Sequence, residues 1–153
     1  MSYNETMVAS KTTTQQLNTL LADLQVYYQN LRGYHWNIKG RHFFSLHEKF
    51  EALYLDAAEK ADDVAERILT LGDRPYHTLT EFIAHANLET QADISDGAEA
   101  VASLLSDIDH LLASFRSLLS TAGENEDEGT TALMSDFIRE FEKTRWMFRS
   151  WKS

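Results

Sequence analysis

Apolar residues recur at helical spacing in four long stretches of this chain. Leu17, Leu20, Leu21, Leu24, Tyr28 and Leu31 follow i, i+3, i+4, i+7, and His35 continues the same stripe. This predicts a first helix ending near Lys39 and Gly40. A second helix opens at Ser45, whose spacing to Glu48 makes a capping box, with Phe44 placed as a hydrophobic staple. Its stripe runs through Phe50, Leu53, Tyr54, Ala57, Ala61, Val64, Ile68 and Leu71. Gly72 supplies a left-handed C-cap, and Pro75 lies just beyond. A third helix, about 95–119, carries Val101, Leu104, Leu105, Ile108, Leu112 and Phe115. The acidic run GENEDEG (123–129) reads as a solvated turn. A fourth helix, about 130–151, carries Leu133, Phe137, Ile138, Phe141 and Phe148.

About twenty residues separate the second and third helices. Within them Thr78 and Glu81 form another capping box ahead of Leu79, Phe82 and Ile83, so a short helix is expected there. A connection of this length lets helices two and three run parallel, one of the topologies open to four-helix bundles. The expected fold class is therefore all-α: a single domain over 1–153, with about 1–12 as a short N-terminal tail.

Composition narrows the functions. The 153 residues include one proline, six glycines and no cysteine, which favours long helices and excludes disulfides and thiolate metal sites. No apolar run is long enough to span a membrane, and the polar N-terminus lacks a signal-peptide centre. A cytoplasmic protein is the expectation. A net charge of −10 opposes a sequence-independent grip on nucleic acid and favours attraction of cations.

Four potential metal ligands stand out: His35, His47, Asp62 and Glu66. Asp62 and Glu66 are i and i+4, on one helix face. His47 lies fifteen residues before Asp62 on the same predicted helix, roughly 22 Å away along the axis at about 1.5 Å per residue. One ion does not span that gap. If these residues form one site, its halves come from two antiparallel copies, and the protein is an oligomer. Glu51, i+4 from His47, is positioned to add a carboxylate. Imidazole with carboxylate suits iron, zinc or manganese. An Asp-x-x-x-Glu pair is more often a solvated face and a helical histidine more often a surface or core polar group, so spacing alone leaves the metal reading open. A structural zinc site is a further alternative. His42, His77, His85 and His110 have no matched partners. The chain holds no Glu-x-x-His, the motif of bundles that bury a di-iron centre within one subunit; Glu81 to His85 is one residue too long.

The run Tyr34-His35-Trp36-Asn37, Gly40, Phe43-Phe44-x-Leu46-His47-x-x-Phe50-Glu51, then Asp62-x-x-Ala65-Glu66-Arg67-Ile68 with Leu71-Gly72, resembles the Dps family, the mini-ferritins. Trp146-Met147-Phe148 is similar to that family's last helix. The resemblance implies a ferritin-like bundle assembled as a hollow homododecamer, with ferroxidase centres at twofold interfaces. His35 and His47 of one subunit would face Asp62 and Glu66 of its neighbour, with Glu51 in the extra carboxylate position. Iron, up to two ions per intersubunit site, would be oxidised from Fe(II) to Fe(III), preferably by hydrogen peroxide, and stored as mineral. Trp36 would quench stray oxidising equivalents. Iron would enter through acidic pores, for which Glu124, Glu126, Asp127, Glu128 and Asp136 are candidates. The family's other function, DNA binding, is the alternative. It is disfavoured because the first sixteen residues carry one lysine, Lys11, and no basic tail follows Lys152.

Overall fold

The computed structural model describes residues 2–152, and these form five helices: α1 (Tyr3–Asn37), α2 (Phe43–Thr70), α3 (Leu79–His85), α4 (Gly97–Glu124) and α5 (Glu128–Lys152). Four are long and pack as α1 against α2 and α4 against α5, with α1 also lying along α4 and α3. The short α3 sits in the connection between α2 and α4, as the Thr78–Glu81 spacing predicts; its capping box is formed in both directions. The architecture is all-α, and its core is one cluster running the length of the bundle. Phe50 and Ile68 of α2, Ile108 and Phe115 of α4, and Phe137 and Phe141 of α5 are all essentially sealed from solvent.

Helix boundaries differ from the sequence expectation in three places. Residues 3–12, expected as a tail, are the first turns of α1, because Ser2 and Glu5 form a capping box that starts the helix early. The second helix begins at Phe43 rather than Ser45. The Ser45–Glu48 box is absent: the Ser45 hydroxyl donates to the His42 carbonyl instead, and Phe44, the expected staple, is 83% exposed. The acidic turn is also shorter than the run GENEDEG, since α4 continues to Glu124 and α5 resumes at Glu128. At the end of α2 the expectation holds. Gly72 takes φ +88°, a left-handed conformation that a Cβ would strain.

Two ion-paired groups tie α2 to α5. Lys60 is buried, bonded to Asp56 one turn back at 2.7 Å and to Glu140 of α5 at 2.9 Å. Arg67 reaches Asp127 at 2.7 Å and the Thr130 hydroxyl at 3.0 Å. Gly129 leaves room for that guanidinium, since a Cβ there would lie 2.6 Å from its Cζ.

The crossover is held by a row of polar residues on α1. Its backbone groups pack against a helix and need partners there. Thr14 donates to Asp73, and Asn18 bonds the Arg74 carbonyl and the Tyr76 amide. Asp23, fully buried, accepts the amides of Asn87 and Leu88 at 2.6 and 2.9 Å. Asn30 donates to the Glu89 carbonyl and to Asp107, and accepts from the Gln91 amide. Asn18, Asp23 and Asn30 interrupt the apolar stripe because each answers main-chain groups of the connection, while Thr14 answers the Asp73 carboxylate.

Burial pushes the Asp107 carboxyl up to about 6, against the opposing effects of the Asn30 hydrogen bond and His110; Asp23 adds to the rise. Between 3.8 and about 6 the folded chain keeps a proton that the unfolded chain has lost. Stability therefore falls as pH rises through that window. Asp107→Asn should stabilise the protein more at neutral pH than near pH 4, measured by urea unfolding at fixed protein concentration. An equal gain at both pH values would refute the assignment. By the same measurement, Phe115→Ala should cost about 3–5 kcal/mol, because this fully buried ring packs on Phe137 and Phe141.

Candidate metal centre

His35 lies in the last turn of α1, and His47 lies just inside the start of α2, across a tight connection. Their rings stack with centroids 3.8 Å apart and planes 10° from parallel. Each ring is anchored by the other residue's backbone. His35 Nδ1 donates to the His47 carbonyl at 2.6 Å, and His47 Nδ1 donates to the His35 carbonyl at 2.7 Å. The direction of these bonds follows from chemistry, since a carbonyl oxygen only accepts. Nδ1 therefore carries the hydrogen in both rings, and in the neutral form of each ring the lone pair is on Nε2. The bond to the His35 carbonyl also serves α1, whose final carbonyls lack partners within the helix. Phe43 stacks on the outer face of His47 at 4.8 Å, and Tyr54 meets His35 edge-on at 5.4 Å. Hydrogen bonds and packing thus lock both imidazoles with their basic nitrogens turned away from the backbone, the arrangement that suits a metal-binding histidine.

Glu51 sits one turn beyond His47 and is exposed, its carboxylate accepting a long hydrogen bond from the Tyr54 hydroxyl at 3.4 Å. Burial foremost, then Glu51, raises the Tyr54 phenol above its usual range.

Asp62 and Glu66 lie further along α2, on the exposed face one turn apart. Among the described residues neither carboxylate makes a hydrogen bond or ion pair, while the Glu66 carbonyl accepts from the Thr70 hydroxyl at 2.8 Å. Asp62 borders an open groove of about 410 Å³ between α1, α2 and the crossover, walled also by Tyr28, Ala65, His77 and Phe82. The structure thus brings His35, His47 and Glu51 to one end of α2 and leaves Asp62 and Glu66 further along the rod. Among the described residues, no three His, Asp or Glu side chains converge within one chain to hold an ion.

Trp36, next to His35, is 57% exposed and carries the Arg32 guanidinium over its ring at 4.7 Å. The unmatched histidines have packing partners instead: His42 meets Trp151, His85 stacks on Tyr76, and His110 bonds buried Asp23. His77 lies beside Glu81 at the start of α3. Of the candidate pore acids, Asp127 has structural bonds. Burial would raise its carboxyl, but Thr130 and Arg67 outweigh that and hold it below the usual range. Asp136 pairs with Arg139, while Glu124, Glu126 and Glu128 are exposed. Spacing did not single out Tyr54 as a site residue. Its position, i+3 from Glu51 and i+7 from His47, was the available signal.

A ferritin-like domain model matches residues 14–152. A DNA protection during starvation protein from Porphyromonas gingivalis is 42% identical over 135 residues, 88% of this chain and 85% of that protein. This chain belongs to the Dps family. The crystal structure of a Dps protein from Vibrio cholerae O1, described as a member of the ferritin-like diiron-carboxylate superfamily, matches with a TM-score of 0.94 at 46% identity. That match covers 95% of this chain and 92% of the other. A Dps protein from Bacillus brevis matches with a TM-score of 0.93 at 32% identity, covering 95% and 98%. The sequence resemblance and the expected ferritin-like bundle are both met by this Dps-family chain. Among the described residues, no helix is long and apolar enough to cross a membrane.

Proposed function

We propose that this chain assembles as a homododecamer whose twofold interfaces each pair two antiparallel α2 helices into ferroxidase sites. In each site His35, His47 and Glu51 of one subunit meet Asp62 and Glu66 of its neighbour and bind Fe(II) as substrate, up to two ions. The observation that carries this reading is the reciprocal histidine lock. It presents two fixed Nε2 lone pairs while the two unpaired carboxylates stand far along the same rigid helix. Antiparallel pairing of two copies brings one end of α2 against the other end of its partner, which an isologous interface does twice by symmetry.

The chemistry is two-electron. Hydrogen peroxide that meets one Fe(II) takes one electron and releases hydroxyl radical. Peroxide that meets two takes both electrons and leaves as water. The locked imidazoles bind without reorganising and the carboxylates complete the site, so the pair of ferrous ions is in place before the oxidant arrives. The ferric product is stored as mineral inside the shell, and the protein protects the cell by removing iron and peroxide together. With a net charge of −10 per chain, protection acts through this chemistry and not by coating DNA.

Size-exclusion chromatography with light scattering should give the mass of twelve chains, and a stable monomer would overturn the shared site. His47→Ala and Asp62→Ala should each slow peroxide-driven formation of ferric product by at least roughly tenfold while the shell still assembles. Co-assembled in equal amounts, the two variants should regain activity. About one site in four then combines an intact histidine half with an intact carboxylate half. No recovery on co-assembly would show that the two residues do not share a site across subunits.

A further inference from the structure

We propose that Tyr54, not Trp36, is the residue that gives up an electron when peroxide meets a half-filled iron site; this rests on the ferroxidase reading above. The contacts of Tyr54 and of Arg32 carry the inference. The Tyr54 ring meets the His35 ring edge-on at 5.4 Å, and its hydroxyl is hydrogen-bonded to Glu51, so it touches two of the residues assigned to iron. Tyr28 lies behind it at 5.7 Å, edge to face, as a second aromatic in contact. Arg32 then stands over Tyr28 at 5.2 Å and over Trp36 at 4.7 Å.

That guanidinium decides between the two candidates. An indole that loses an electron becomes a cation before it loses a proton. Trp36 would develop that charge beneath a fixed positive group, and like charges at this distance repel. A phenol loses electron and proton together and ends as a neutral radical, which carries no charge for Arg32 to oppose. Tyr54 is also partly buried between α1 and α2, whereas Trp36 is open to solvent.

The step balances as follows. One Fe(II) and one hydrogen peroxide give Fe(III), hydroxide and a hydroxyl radical as the O–O bond breaks. The hydroxyl radical takes a hydrogen atom from the Tyr54 hydroxyl, forming water and a tyrosyl radical. A second Fe(II) then supplies one electron and solvent supplies one proton, restoring the phenol and leaving a second Fe(III). The net result is the same two-electron reduction of peroxide by two ferrous ions, with Tyr54 holding one electron's deficit between the two arrivals.

The test uses the assembled protein loaded anaerobically with one Fe(II) per site, mixed with hydrogen peroxide and freeze-quenched for electron paramagnetic resonance. A tyrosyl signal is expected in the wild type and in Trp36→Phe, and its loss in Tyr54→Phe, where spin-trapped hydroxyl radical should rise several-fold. A ring-fluorinated tyrosine at position 54 should change the hyperfine pattern while keeping the phenol, so the assignment stands even if Tyr54→Phe fails to assemble. Arg32→Gln should let an indole signal appear. A tyrosyl signal that survives Tyr54→Phe, one that vanishes in Trp36→Phe, or none in the wild type would overturn the proposal. Ferric product forming normally alongside any of these would overturn Tyr54 alone. No ferric product in the wild type would remove the ferroxidase reading and the electron donor together.

Discussion

His35 and His47 are held by each other's main chains, and the site's geometry follows from that mutual anchoring. Each Nδ1 is taken by a carbonyl across the turn between α1 and α2, so neither ring is free to swing and neither tautomer is free to change. The turn is fixed by the same bonds that orient the two rings. Beyond it α2 continues unbroken for 28 residues, and its stiffness keeps Asp62 and Glu66 out of reach of the imidazoles on the same chain. Local order and incompleteness therefore have one cause. A site that used both groups of donors would need a second copy to bring them together.

The acids on α2 and near its end divide by what surrounds them. Asp56 neutralises buried Lys60, and Asp127 receives Arg67 where α2 meets the start of α5. Both act within the bundle, where an unpaired charge would be costly. Glu51, Asp62 and Glu66 lie on the face that the bundle leaves open. The fold uses its charged residues in two ways, and burial by α5 separates them. A similar division applies to α1. Its apolar stripe faces the core, while Thr14, Asn18, Asp23 and Asn30 receive the crossover and so set Tyr76, His77 and α3 over the groove beside Asp62.

Much of this was legible in the sequence. Apolar periodicity marked all four long helices and, with the Thr78–Glu81 box, the short one in the connection. Those signals are local, each encoded within a turn or two of the residues that obey it. The fifteen-residue gap between His47 and Asp62 was equally readable, because helical rise is a constant of the backbone. So was the family: the block from Tyr34 to Gly72 carries its pattern intact. Local reasoning failed where two options competed. Ser45 and Glu48 have capping-box spacing, yet the Ser45 hydroxyl bonds the His42 carbonyl once the turn from α1 fixes where α2 begins. The N-terminal segment looked polar enough to be a tail, but the Ser2–Glu5 box starts the helix there.

The sequence by itself determined which segments are helices, which side chains are candidate metal donors, and that His47 stands far from Asp62 and Glu66 on one straight helix. Only the tertiary structure decided that His35 and His47 bond each other's carbonyls, that Asp127 is taken by Arg67, and that Tyr54 lies against His35 while Arg32 covers Trp36. The physical reason is range. Periodicity and helical rise act between residues a few positions apart, whereas hydrogen-bond direction, ring contact and charge pairing depend on how separate helices pack.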